Sequence, residues 1–163
     1  MYVIKRIDKK GIVALIVAVA VVVFVILKFV VFGTASTAYC STVGEYQLEI
    51  TADFTTEDFL KQFDIEVDKS SQQKVSITIP SEFNDVYQKY NNLQQSQGLD
   101  LAGYKGENAE RYTYNVTNYP NDIDIKVNII ICDNRVIAGD LCTVTLDGVM
   151  TTLDDKTIGQ EQQ

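Results

Sequence analysis

Apolar residues run from Ile12 to Phe32, broken only at Lys28, and after Phe32 never exceed four in a row. The 21 residues of this stretch make a helix of about 31 Å, close to the ~30 Å hydrocarbon core of a bilayer. A helix apolar all round has no aqueous face, so the pattern predicts a transmembrane helix over 12–32. Gly33 to Gly44 is small and polar, the composition of a flexible tether. Tyr46, Leu48 and Ile50 then alternate with polar residues, the period of a half-buried strand. Thr55 with Asp58 approximates a capping box, and Phe59, Leu60 and Phe63 supply the apolar stripe of a first helix. Ile65 and Val67, then Val75, Ile77 and Ile79, alternate as strands on either side of an expected polar turn at Ser70–Gln73.

Pro80 stops that row, and Ser81 is the expected cap of a second helix reaching Gln97, with Gly98 ending it. Phe83, Val86, Tyr87, Tyr90 and Leu93 fall at i, i+3, i+4, i+7 and i+10, the face expected to pack on the core. From Arg111 every pattern has period two. Ile123 to Ile131 forms the longest alternating row and is the expected central strand. Asp133-Asn134 predicts a tight hairpin, Gly139-Asp140 a bulge, and Asn118 to Asp122 and Asp147-Gly148 turns. The sum is an α+β domain over 45–153, an antiparallel sheet with two helices on one face, preceded by one transmembrane helix. Residues 1–11 form a basic N-terminus and 154–163 a polar, frayed tail.

Charge supplies a direction. Lys5, Arg6, Lys9, Lys10 and Lys28 against Asp8 give the part up to Phe32 a net +4; with the whole chain at −8, the rest carries −12. Basic residues cluster before the apolar run and none follows it until Lys61, so the positive-inside rule keeps the N-terminus cytoplasmic and the domain outside. Lys28 is expected to snorkel to the outer interface or to pair with a partner helix. Ser36-Thr37-Ala38 resembles a signal-cleavage site, but secretory apolar regions run about 7–15 residues, so an uncleaved anchor is the reading. An acidic domain repels phosphates, which argues against nucleic acid as a partner.

Candidate chemistry is sparse. The chain has no His, so Cys132 or Cys142 would lack the usual base for nucleophilic catalysis. With Cys40 the three cysteines form no metal spacing. The D-x-E-x-D run from Asp64 has Lys69 and Val75 where a calcium loop needs Gly and Glu.

Thr78-Ile79-Pro80, Glu82-Phe83, Tyr87, Tyr90-Asn91, Leu93-Gln94 and Gln97-Gly98 resemble a family of membrane-anchored, uncharacterised domains of Gram-positive bacteria. Asp100-Leu101, Tyr104-Lys105-Gly106, Arg111 to Tyr114, Asn118-Tyr119-Pro120, Gly139-Asp140 and Asp147-Gly148 extend the likeness over Gly44 to Leu153. Ala138 departs from it, standing where a second Gly is expected. The resemblance implies an anchored surface domain and no activity.

Tyr104, Arg111 and Tyr119 are the candidate recognition residues, since Tyr and Arg are enriched at binding hot spots. Asp140, beside Gly139, is the acid to inspect first. The reading is a membrane-anchored binding or accessory domain without catalysis, metal or cofactor. Its expected partners are membrane lipid through the anchor and an envelope protein or small ligand. The alternatives are an envelope hydrolase using carboxylates, which needs two acids across a cleft, and a small-molecule sensor, which needs an apolar cavity between helices and sheet.

Overall fold

The computed structural model describes residues 13, 15–24, 36–119, 124–144 and 148–158. It divides into two units, Met1–Ala35 and Ser36–Gln163. In the first, residues 15–24 are helical. Among the described residues no helix is long and apolar enough to cross a membrane; the remainder of the expected span 12–32, Lys28 and the basic residues before it lie outside the described residues.

In the second unit the chain runs β1 (Thr37–Cys40), β2 (Gly44–Gln47), α1 (Thr56–Lys61), β3 (Val67–Thr78) and α2 (Asp85–Ser96). A 3₁₀ turn at Ala102–Tyr104 follows, then β4 (Asn108–Val116), β5 (Ile125–Cys132), β6 (Arg135–Thr143) and β7 (Met150–Thr151). Five strands form one antiparallel sheet in the order β3-β4-β5-β6-β7, and β1 and β2 form a separate hairpin. The row that alternates longest is the middle strand, β5. Asp133 and Asn134 both take positive φ, 47° and 62°, the geometry of the tight turns that match strand twist.

Side-chain parity on β5 separates two cores. Val127, Ile129 and Ile131 belong to a cluster with Phe59, Leu60 and Phe63 from α1 and its C-terminal turn, Tyr46 and Leu48, and Leu153 and Ile158. Ile130 and Cys132 point the other way, to a smaller cluster with Ile79, Leu101, Ile137 and Ala138, against which Tyr90 of α2 packs. The two helices therefore attach to opposite faces of the sheet, not to one. Period two assigns a face to each strand residue but cannot say on which side a helix lands.

Other boundaries move for local reasons. The expected tether 33–44 contains β1, where Cys40 is buried and its Sγ donates to Asp154 Oδ2 at 3.2 Å. In the expected tail, Ile158 is buried and Asp155 Oδ1 accepts from Thr157 N at 2.8 Å; residues 159–163 lie outside the described residues. Ser70–Gln73 does not end a strand. The step from Asp68 to Gln73 faces the shorter step from Asn115 to Thr113, a bulge in one continuous β3. Asp68 Oδ1 accepts from Ser70 N at 2.9 Å, and Ser71 Oγ accepts from Asn115 N at 2.9 Å, replacing a ladder bond. The bulge expected at Gly139-Asp140 falls earlier, where Ile130 pairs Ala138 and Ile131 pairs Val136. The extra residue is Ile137, and Gly139 and Asp140 stay in register. The expected turns at Asn118–Asp122 and Asp147-Gly148 lie partly outside the described residues.

Candidate functional site

Pro80 has no N–H to continue a ladder, so the chain leaves β3 there. The helix cap is Asn84, not Ser81: its Oδ1 accepts from Tyr87 N at 2.9 Å. Phe83 thus precedes the helix and stacks on Tyr87, ring centroids 5.8 Å apart.

The buried side of α2 is polar. Asn91, Gln94 and Gln97 are 1%, 0% and 0% exposed, whereas Val86 is 72% exposed. These amides complete a broken ladder. β7 pairs β6 only at Leu141 and Cys142, and Gly139 on that edge lies beyond it. Gln94 Oε1 accepts from Gly139 N at 2.8 Å, and Gln97 Nε2 donates to Gly139 O at 2.6 Å and to Gln94 Oε1 at 2.7 Å. Gln97 Oε1 accepts from Leu153 N at 2.9 Å. Asn91 Oδ1 accepts from Leu101 N at 2.7 Å and fixes the following loop. Polar groups buried this deeply need such partners.

Held by its amides, α2 leaves its apolar stripe facing a cavity of about 640 Å³ between helix and sheet. Val86, Tyr87, Lys89, Tyr90 and Leu93 form one wall; Ile77, Arg111, Asn128, Ile130, Asp140 and Met150 are among the sheet residues opposite. A cavity of this size, largely apolar with a few polar groups, lies in the usual range for small-molecule sites, about 300–1,000 Å³.

Register builds the polar part of the floor. Thr113, Asn128 and Asp140 are direct cross-strand neighbours on β4, β5 and β6. Thr113 Oγ1 donates to Asn128 Oδ1 at 2.7 Å, and Asn128 Nδ2 donates to Asp140 Oδ2 at 2.8 Å. From the helix, the Tyr90 hydroxyl donates to Asp140 Oδ1 at 2.8 Å. Burial pushes the Asp140 carboxyl above its ordinary value, although Asn128, Tyr90 and the Arg111 charge all favour the ionised form. Burial, then the neighbouring Asp140, pushes the Tyr90 hydroxyl upward as well.

Of the four expected site residues, Arg111 and Asp140 share this cavity. Tyr104 packs against the small cluster under it, and burial raises its hydroxyl. Tyr119 lies against the large cluster, its hydroxyl donating to Asp155 O at 3.0 Å and pushed up to about 12 by burial and then by Asp155. The four do not form one surface. Asn128 and Thr113 went unselected because each is an ordinary polar position of an alternating strand; only register aligns them with Asp140. Tyr87 and Tyr90 read as core aromatics: Tyr90 does pack against the small cluster while also lining the cavity, whereas Tyr87 stands exposed in the cavity wall.

Among the described residues no group of three or more His, Cys, Asp or Glu side chains could hold a metal ion. No curated protein and no solved structure matches the chain. A family described as a domain of unknown function, DUF4830, matches residues 59–141, from Phe59 in α1 to Leu141 in β6; the matched stretch contains every cavity residue named above except Met150, and the chain belongs to that family.

Proposed function

We propose that this domain is a non-enzymatic binding module whose ligand occupies the cavity between α2 and the sheet, and that residues 12–32 anchor it to the outer side of a membrane. The observation that carries the reading is the cavity of about 640 Å³, to which α2 presents the exposed Val86 and Tyr87 beside the partly buried Tyr90 and Leu93. A helix docked through buried glutamines has its hydrophobic side left over, and a bound apolar body would cover it. This favours the small-molecule sensor over the hydrolase. Asp140 is the single carboxylate among the described lining residues, and acid-pair hydrolysis needs two.

Support for the anchor is the 21-residue apolar run and the basic residues before it, together with the resemblance to anchored domains of Gram-positive bacteria. Protease added to whole cells should digest the domain; digestion only after lysis would overturn the topology.

Binding is tested with N-phenyl-1-naphthylamine, an uncharged apolar fluorophore, on the full chain. Its emission should rise on binding, and Leu93→Trp, which fills the cavity, should weaken affinity at least about tenfold with unchanged far-UV circular dichroism. No rise, or a rise indifferent to Leu93→Trp, refutes the module.

A further inference from the structure

The chemistry of the cavity wall narrows the class of ligand. Its neutral and acidic polar groups are committed within the protein: Thr78 to Asn108 at 3.1 Å, Asn128 to Thr113 and Asp140, and Tyr90 to Asp140. Arg111 and Lys89, both exposed, make no hydrogen bond or ion pair with any described residue. The Tyr87 hydroxyl aside, the uncommitted polar groups facing the space are therefore cationic donors. Around them stand apolar side chains left to solvent, Val86 at 72% and Met150 at 51% exposed.

We propose that the cavity takes a single-chain amphiphile with an apolar body and a carboxylate head, the head held by Arg111 and the body covering Val86, Leu93, Ile77 and Met150. The inference rests on the binding reading above. A guanidinium presents paired N–H donors in the geometry of a carboxylate. A neutral head would cover Arg111 without replacing the water it loses, which is costly. A cationic head would meet two like charges, Arg111 and Lys89. The net −12 of the chain after Phe32 opposes a distant anion only weakly, because salt screens charges beyond about 8 Å, whereas contact with Arg111 is local.

The test compares octanoate, octanol and octylammonium, equal in apolar body and different in head. The chain has no Trp, so Met150→Trp places a single reporter on the cavity rim. Each probe is titrated into the full chain in zwitterionic-lipid nanodiscs, with empty nanodiscs as the blank. Octanoate should bind about tenfold more tightly than octanol, the scale of one charge-assisted hydrogen-bonded contact, and octylammonium most weakly. Arg111→Gln should bring the octanoate-to-octanol ratio to about one, and Arg111→Lys should restore part of it. Octanoate binding no better than octanol, a ratio unmoved by Arg111→Gln, or preference for octylammonium overturns the carboxylate assignment while octanol binding keeps the module standing. Failure of all three probes overturns both.

Discussion

Replacing Gln97 by Met nearly keeps the side chain's volume and removes its amide. Gly139 O then loses the donor at 2.6 Å and Leu153 N the acceptor at 2.9 Å, in a site where Gln97 is 0% exposed. Two orphaned backbone groups cost about 1–3 kcal/mol each. The buried thioether recovers about 1 kcal/mol, so the net loss is about 3 kcal/mol, a large share of the ~5–15 kcal/mol that stabilises a domain. In urea, at a slope of about 2 kcal/mol per molar, the midpoint should fall by about 1.5 M, read by far-UV circular dichroism. Gln95→Met, on the exposed side of the same helix, should not move it. The decisive comparison is with Val86→Ser. If α2 docked through its apolar stripe, Val86→Ser would be the costlier change; if it docks through amides, Val86→Ser stays within about 0.5 kcal/mol. A Gln97→Met midpoint within about 0.3 M of the parent, or the reverse order of the two variants, refutes the amide-docked helix.

Gly98 has φ +88°, and a Cβ there would lie 2.5 Å from Tyr39 O, a backbone atom. Gly98→Ala should cost about 3 kcal/mol from left-handed strain plus overpacking, whereas Gly44→Ala, also at φ +88° but with nothing within 4 Å, should show the conformational part alone; thermal unfolding separates them. Asp140's carboxyl is raised by burial, so the native state holds its proton more tightly than the unfolded chain. Its contribution is fully present below the ordinary carboxyl range and is lost as pH rises through the raised value. Asp140→Asn can still accept from Asn128 and donate to Tyr90, so it should be more stable than the parent at neutral pH, and that advantage should shrink on acidification; an advantage that grows toward acid contradicts the burial argument. Cys132 pairs Arg135 and Cys142 pairs Lys126, which puts the two about 20 Å apart along the strands. All three cysteines are free, and a thiol assay of the unfolded chain should give three equivalents with or without reductant.

The sequence made the sheet legible where one physical signal dominated. β5 and its hairpin follow from alternation and from Asp133-Asn134, the residues that tolerate positive φ. The cap of α1 follows from Thr55 and Asp58, which bond reciprocally as a capping box. Features set by tertiary partners were not legible. Ser70–Gln73 has turn composition but only bulges, and β4 accommodates it through Ser71, so the strand continues. Ser81 and Asn84 are both capping residues, and only the path out of Pro80 chooses between them. Thr113, Asn128 and Asp140 become one hydrogen-bonded line through register, which local pattern does not encode.

The docking of α2 is the most consequential of these: Phe83 and Tyr90 of its stripe do pack on the small cluster, but Val86 and Tyr87 are left exposed. Helical periodicity finds an apolar stripe and assigns it to the core, because apolar burial is the usual reason a helix docks. Here β6 offers a different docking force: β7 covers its outer side only at Leu141 and Cys142, stops short of Gly139 and leaves that residue's backbone groups to be satisfied. Glutamines three residues apart, at 94 and 97, reach that edge as a strand would. Meeting the hydrogen-bond demand of the sheet turns part of the hydrophobic side of the helix toward a cavity floored by Asp140 and Asn128. The same constraint thus fixes the fold and opens the site, which makes the stability order of Gln97 and Val86 variants a statement about binding as well as folding. A protein in which Val86 anchored the helix would have no cavity for a ligand to fill.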